Sequence, residues 1–201
     1  MQDTIIECLN RDVRLRPLLE SIPFPIPPPA ADNLFEDLLR SIVGQQLSVK
    51  AAETIFGRFI QLFPQHIPEA YLLDALPDEI LRQTGLSRQK CAYIRNAAAF
   101  FVGKPTDTAS WQTWSDEEIL RELTSIKGVG AWTVQMLLMF SLRRPDVLPL
   151  ADLGIQTAMI RLYGLQSNGK ALQAEMGSIA DQWRPYRSYA CFYLWKWKDL
   201  P

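Results

Sequence analysis

Asp152 stands directly ahead of a predicted helix over Leu153–Tyr163, and a carboxylate in that place has two physical uses. As an N-cap it accepts a hydrogen bond from an amide of the first turn that has no partner within the helix. As a reactive group it stabilises positive charge developing beside it, or orients and deprotonates a water molecule. Taken locally, the cap is the stronger reading. The two uses are compatible, because a capping carboxylate is already held in place before any substrate arrives. Asp146, the neighbouring acid, precedes a proline-containing connection and reads as support for a turn or helix end.

The second stretch able to do chemistry is LTSIKGVGAWT at 123–133. Gly128 and Gly130 permit an unusual turn and the close approach of another backbone, and the helix that follows offers unpaired amides at its start. Such amides suit a phosphate oxygen, and the helix dipole adds favourable potential. Lys127 can reinforce the contact, with Arg143 and Arg144 as further phosphate partners. The same glycines would also serve a short helical hairpin that needs them for geometry alone. The stretch is not a Walker phosphate loop, because no lysine followed by serine or threonine comes after the glycines. It leaves room for a monovalent cation bridging turn carbonyls to phosphate.

Composition narrows the classes. With 201 residues, 48% hydrophobic and 21% charged, the chain is ordinary globular material for one compact domain or two small lobes. A net charge of -1 argues against a non-specific nucleic-acid binder, although a local patch with backbone amides holds a polyanion without showing in a global count. Cys8, Cys91 and Cys191 are too few and too scattered for a disulfide framework or a four-cysteine cluster. His66 is the only histidine, which disfavours a histidine-based nuclease or a zinc site, so no metal is expected. The apolar run Ala131–Phe140 is too short to cross a bilayer, and MQDTIIECLNRD lacks a signal pattern; a cytoplasmic protein with no membrane partner is expected.

Helical periodicity supplies the elements that must position these residues. Leu34, Phe35, Leu38, Leu39 and Ile42 trace one apolar stripe, and Val49, Ala52, Ile55, Phe56 and Phe59 a second after Gln45-Gln46. Pro68 and Pro77 suit the first turns of two short helices. Ser87 caps a helix that ends near Phe101, with Gly103 helping to stop it. Residues 102–114 carry no clear period. Ser115 with Glu118 forms a capping box for Asp116–Thr124, and a tight turn over Ile126–Gly130 leads to a helix over Ala131–Ser141. Pro145 and Pro149 make 142–150 a loop. Helices are predicted at Leu153–Tyr163, at Lys170–Trp183 with an interruption near Gly177, and at Pro185–Trp197. No stretch alternates long enough for a sheet, so the fold class is all-α. SIPFPIPPPA at 21–30 reads as an extended strap between an amino-terminal helix and the main bundle.

Five motifs lie along these elements: GQQLS at 44–48, GLSRQKCAYIRN at 85–96, LTSIKGVGAWT at 123–133, DVLPLADLGI at 146–155 and WRPYRSYACFYLW at 183–195. In order and spacing they resemble the helix-hairpin-helix DNA glycosylase superfamily, and most closely its 3-methyladenine DNA glycosylase II branch. The resemblance implies a two-lobed, all-α fold without an additional amino-terminal β domain. One lobe would comprise residues 1–30 and 142–201, the other 31–141, ending in the DNA-binding hairpin.

The resemblance also implies roles. Asp152 falls where the family has its catalytic aspartate. Trp132 falls where bifunctional relatives carry a lysine that attacks the sugar; an indole cannot, so monofunctional hydrolysis to an abasic site is expected. Lys127 or Lys90 would be a nucleophile only in a different layout. Trp132 and Trp195 match aromatic residues of the base pocket, where an indole face favours a flat, electron-poor base, while Trp111, Trp114, Trp183 and Trp197 stay structural or surface residues. Arg187 and Tyr189 would support the catalytic lobe, with a salt bridge as the simpler role for Arg187.

Gln46, Leu86, Arg88, Lys127, Gly128, Gly130 and Thr133 form the implied DNA-binding set. Leu86 or Arg88 would enter the duplex as a wedge, or Gln46 would contact the minor groove at the vacated position. The plainer alternatives are a buried Leu86 anchoring its turn and a Gln46 closing a helix start. No cofactor and no iron–sulfur cluster are implied. The partner would be damaged double-stranded DNA, met by a monomer in the cytoplasm and at the nucleoid. 3-Methyladenine and 7-methylguanine are the expected substrates. Excision of uracil or etheno adducts, or non-catalytic DNA binding, are the alternatives.

Overall fold

Side-chain caps at Asn33, Ser48, Ser87, Asp107, Ser115 and Asp152 open six of the helices in the computed structural model, which describes residues 1–27 and 32–200. In chain order the helices are α1 (Gln2–Leu9), α2 (Arg16–Ser21), α3 (Leu34–Gly44), α4 (Val49–Ile60), α5 (Ala70–Ala75), α6 (Asp78–Gln83) and α7 (Arg88–Phe101). They continue with α8 (Thr108–Trp111), α9 (Asp116–Thr124), α10 (Ala131–Met136), α11 (Leu153–Tyr163), α12 (Gly169–Ala180) and α13 (Arg187–Lys198). Among the described residues the only extended pairing is an isolated bridge between Asn33 and Asp107, so the class is all-α. Residues 28–30 of the proline-rich strap lie outside the described residues.

The chain divides into two compact units, Met1–Pro29 with Leu138–Pro201, and Ala30–Leu137. In the continuous unit the stripe of α3 is wholly buried, and Phe35 meets Phe101 of α7 at 5.0 Å between ring centroids. Ser87 Oγ accepts from the Lys90 amide at the head of α7. Ser115 and Glu118 form the reciprocal capping box of α9. Arg95 of α7 closes off α5 by donating to the carbonyls of Asp74 (3.1 Å) and Leu76, and pairs with Asp78 at the start of α6. A guanidinium beside the last carbonyls of a helix meets unpaired acceptors and the negative end of the dipole.

Several boundaries differ from the sequence expectation. Val49 is 75% exposed, not buried: it opens α4, and that first turn projects beyond the core that Phe56 and Phe59 fill. Pro68 lies outside α5 and Pro77 is the N-cap of α6. A single turn, α8, forms within 102–114, capped by Asp107 and too short to show a period. Past Met136 the helix widens to i→i+5 bonding over Leu137–Ser141. Gly177 does not interrupt α12; the change comes at Asp181–Trp183, a tighter turn, and α13 starts at Arg187, two residues after Pro185.

In the discontinuous unit α11 packs against α13. A buried carboxylate ties the amino-terminal segment in: Asp12 Oδ2 accepts from the Tyr163 hydroxyl (2.6 Å) and from Trp183 Nε1 (2.8 Å). Its Oδ1 accepts from the amides of Arg14 and Leu15. Four donors compensate a charge that would otherwise be costly to bury. The Tyr163 phenol is pushed far up, first by burial and then by its bond to Asp12, and stays protonated as a donor.

Candidate active site

Asp152 is the N-cap of α11, and its Oδ1 accepts from the Ile155 amide at 2.9 Å. The same oxygen accepts from Trp195 Nε1 of α13 at 2.9 Å. The backbone around it is equally fixed: the Asp152 amide donates to Pro149 O (2.9 Å), and Gln156 Nε2 reaches back to Leu150 O (2.7 Å). Asp152 is half-buried, which keeps it reachable while reducing the water around it. The indole of Trp195 stacks on Phe140 at 5.9 Å with 24° between planes and leans on Phe192 at 6.0 Å. Behind them, burial raises the thiol of Cys191, and the negative charge of Asp152 adds to the effect. Cys191 is therefore a neutral packing residue and no nucleophile.

Arg187 grips Asp146, with Nε on Oδ1 at 2.6 Å and Nη2 on Oδ2 at 3.0 Å and on the Asp146 carbonyl at 2.8 Å. Arg184 Nη1 joins the same carboxylate at 2.7 Å. Arg187 thus makes a salt bridge, the simpler of the two roles expected for it, with Asp146 in the connection that leads to Asp152. Ser188, which the sequence did not single out, completes the stitch: Oγ accepts from the Val147 amide (2.9 Å) and donates to Arg144 O (2.7 Å). The connection that delivers Asp152 is thereby sewn to the first turn of α13. Tyr189 stacks on Phe24 at 5.6 Å, a packing role.

Three of the five motifs converge in the continuous unit. Gly128 has φ +103 in the turn between α9 and α10, and a Cβ there would lie 2.2 Å from the ring of Tyr93. Gln45 Nε2 donates to Gly128 O (3.2 Å), and Asn96 Nδ2 to Lys127 O (3.0 Å). Lys90 Nζ holds Val43 O at 2.7 Å, just ahead of the GQQ loop. Gln45, Gln46, Ser87, Gln89, Lys90, Tyr93 and Gly128 line a polar cavity of about 250 Å³. Tyr93, Gln45 and Asn96 lie inside quoted motifs, but neither their types nor their spacing betrays contact with the hairpin.

The remaining DNA-binding candidates separate. Gln46 is exposed and adopts φ +58, a left-handed backbone unusual for a side chain with a Cβ and common where function holds strain. Arg88 and Lys127 are exposed. Leu86 is only 4% exposed, so it anchors its turn and cannot enter a duplex as a wedge from this position. Thr133 is also 4% exposed, which leaves its hydroxyl little access to a phosphate. The α10 ladder begins with the Val134 amide on Gly130 O, and the amides of its first turn precede it. Trp132 is 44% exposed and belongs to a different unit from Trp195.

Comparison with known proteins agrees with this assembly. The profile of the HhH-GPD superfamily of base excision DNA repair proteins matches residues 39–182. A Bacillus subtilis protein, YfjP, is 31% identical over 170 residues, covering 82% of this chain; the chain spans 58% of that relative's length. The structure of a Schizosaccharomyces pombe 3-methyladenine DNA glycosylase in complex with abasic DNA superposes with a TM-score of 0.85 at 30% identity, covering 98% of this chain and 97% of the other. The structure of a DNA-3-methyladenine glycosidase from Bacillus halodurans gives 0.82 at 37% identity, covering 96% and 87%.

Proposed function

This chain belongs to the HhH-GPD superfamily of base excision DNA repair proteins, and from that premise we propose that it releases alkylated purines from duplex DNA by hydrolysis. The observation that carries the reading is Asp152, whose Oδ1 is held by the Ile155 amide and the Trp195 indole at the head of α11. A purine methylated at N3 or N7 is already cationic. When its bond to C1′ breaks, the electron pair leaves with the base, which departs neutral, and positive charge develops on the sugar. The Asp152 carboxylate stabilises that charge and orients the water that adds at C1′, whose proton is lost to give an abasic site.

Trp132 supports water as the attacking group, since an indole cannot form a Schiff base. Trp132 and Trp195 would each offer an aromatic face that favours a cationic base. The hairpin, with Lys127 and the first amides of α10, would take phosphate. Gln46, exposed at a strained loop position, is a better filler of the vacated stack than Leu86. A monovalent cation at the turn would use carbonyls other than those of Lys127 and Gly128, which already accept side-chain amides. The reaction needs one chain and no cofactor.

Purified protein is expected to release 3-methyladenine and 7-methylguanine from methylated duplex faster than it releases uracil or an etheno adduct. Release confined to uracil or etheno lesions would reassign the substrate class. Binding of abasic duplex without release of any base across the panel would overturn the catalytic reading in favour of a DNA-binding protein.

A further inference from the structure

Gly154 occupies the second position of α11 with no positive φ, so its backbone does not require glycine. Glycine there gives up helix stability relative to alanine. Space supplies the reason. A Cβ at 154 would lie 3.0 Å from Trp195 Cδ1, 3.1 Å from Trp195 Nε1 and 3.1 Å from Asp152 Oδ1. The missing side chain is therefore the clearance through which the edge of the indole reaches the carboxylate.

That clearance separates two uses of Trp195. As a wall for a base it needs only an aromatic face, which Phe140 and Phe192 already support from within the same unit. As a donor it needs the nitrogen edge within hydrogen-bonding distance of Asp152, and the observed 2.9 Å meets that requirement. The indole adds a donor to the oxygen that the Ile155 amide already holds, and hydrogen bonds from two different helices to Oδ1 narrow the swing of the carboxylate about its Cβ–Cγ bond.

We propose that Gly154 and Trp195 are positioning residues for Asp152: the absence of a side chain at 154 admits the indole N–H, and that N–H fixes the orientation of the carboxylate during base release. This rests on the reading of Asp152 as the catalytic carboxylate. It assigns Trp195 a task that a phenylalanine of similar position could not perform.

The test is single-turnover base release from methylated duplex, measured beside affinity for abasic duplex, for wild type and D152N, W195F, W195A, G154A and G154A/W195A. W195F and G154A are each expected to lower the rate about 10-fold or more, with affinity changed by less than about 3-fold, because a misdirected catalytic group costs rate and not binding. G154A is expected to cost clearly less in the W195A background than in wild type, because two of the three close contacts of the new Cβ are with the indole and only the one with Asp152 Oδ1 remains. Circular dichroism and melting establish that each variant is folded.

A W195F variant with the wild-type rate overturns the donor role. A G154A penalty that persists undiminished without the indole overturns the clearance role. Should G154A fail to fold, W195F decides the proposal by itself. Failure of the underlying reading looks different: a wild-type enzyme that releases base and a D152N variant that releases it equally well.

Discussion

Replacing Asp152 by asparagine is expected to lower single-turnover base release by about 10²- to 10³-fold, the range found when one charge-stabilising group is removed from a reaction. Stability should barely move. Asparagine is as good an N-cap as aspartate, and its oxygen can accept from both Ile155 N and Trp195 Nε1 as Asp152 Oδ1 does. The variant thus removes the charge and keeps the geometry. D152A loses the cap as well, and should unfold about 1 kcal/mol more easily. Rate, melting temperature and affinity for abasic duplex, measured together, check the pair. A D152N enzyme that cleaves at the wild-type rate would leave Asp152 with its capping role alone.

Replacing Gly128 by alanine should do the largest damage to the hairpin. The new Cβ meets the Tyr93 ring at 2.2 Å, and φ +103 is a backbone state that alanine resists. Strain and overpacking together should cost about 3 kcal/mol, a fall in melting temperature of about 6–12 °C for a chain of this size. DNA affinity should fall about 10-fold or more, because the turn that presents the first amides of α10 is displaced. Gly130 is the internal control. It has φ -96 and nothing within 4 Å of a built Cβ, so its alanine variant should cost less than about 1 kcal/mol. Adding Y93A to G128A should restore part of the stability. Equal effects at 128 and 130, seen by thermal melts, would show that the ring of Tyr93 does not set the requirement.

Local chemistry was legible in the sequence wherever one residue acts on its near neighbours. The bounds of α9 and α11 followed from Ser115 with Glu118 and from Asp152, because a cap needs only a side-chain oxygen and amides three residues on. Leu86 could be read as wedge or anchor from its apolarity alone, and its surroundings decided for anchor. What escaped was contact between distant segments. The indole of Trp195 reaches a carboxylate 43 residues away, and the amide of Gln45 reaches a carbonyl 83 residues away. No periodicity encodes either. Trp195 was foreseen as a stacking face, whereas its nitrogen edge carries the clearest contact. Nothing in the sequence marks Gly154 within its helix; the ring that lies over it is what makes the missing side chain matter.

Translation order gives the discontinuous unit a timetable. Residues 30–137 are complete as a unit once they have left the ribosome, and can fold while the rest is made. The amino-terminal segment emerges first yet has to wait, because Asp12 finds Tyr163 and Trp183 only 151 and 171 residues later. At about 5–20 residues per second, that is a delay of roughly 8–30 s. The carboxylate of Asp152 belongs to the unit that closes last, so a nascent chain acquires its hairpin before its acid. Ribosome-stalled chains released from the tunnel only through α10 should show protease protection in the continuous unit and cleavage ahead of it. On the proposed roles, a half-made protein of this kind would hold its phosphate-binding turn before it holds its carboxylate.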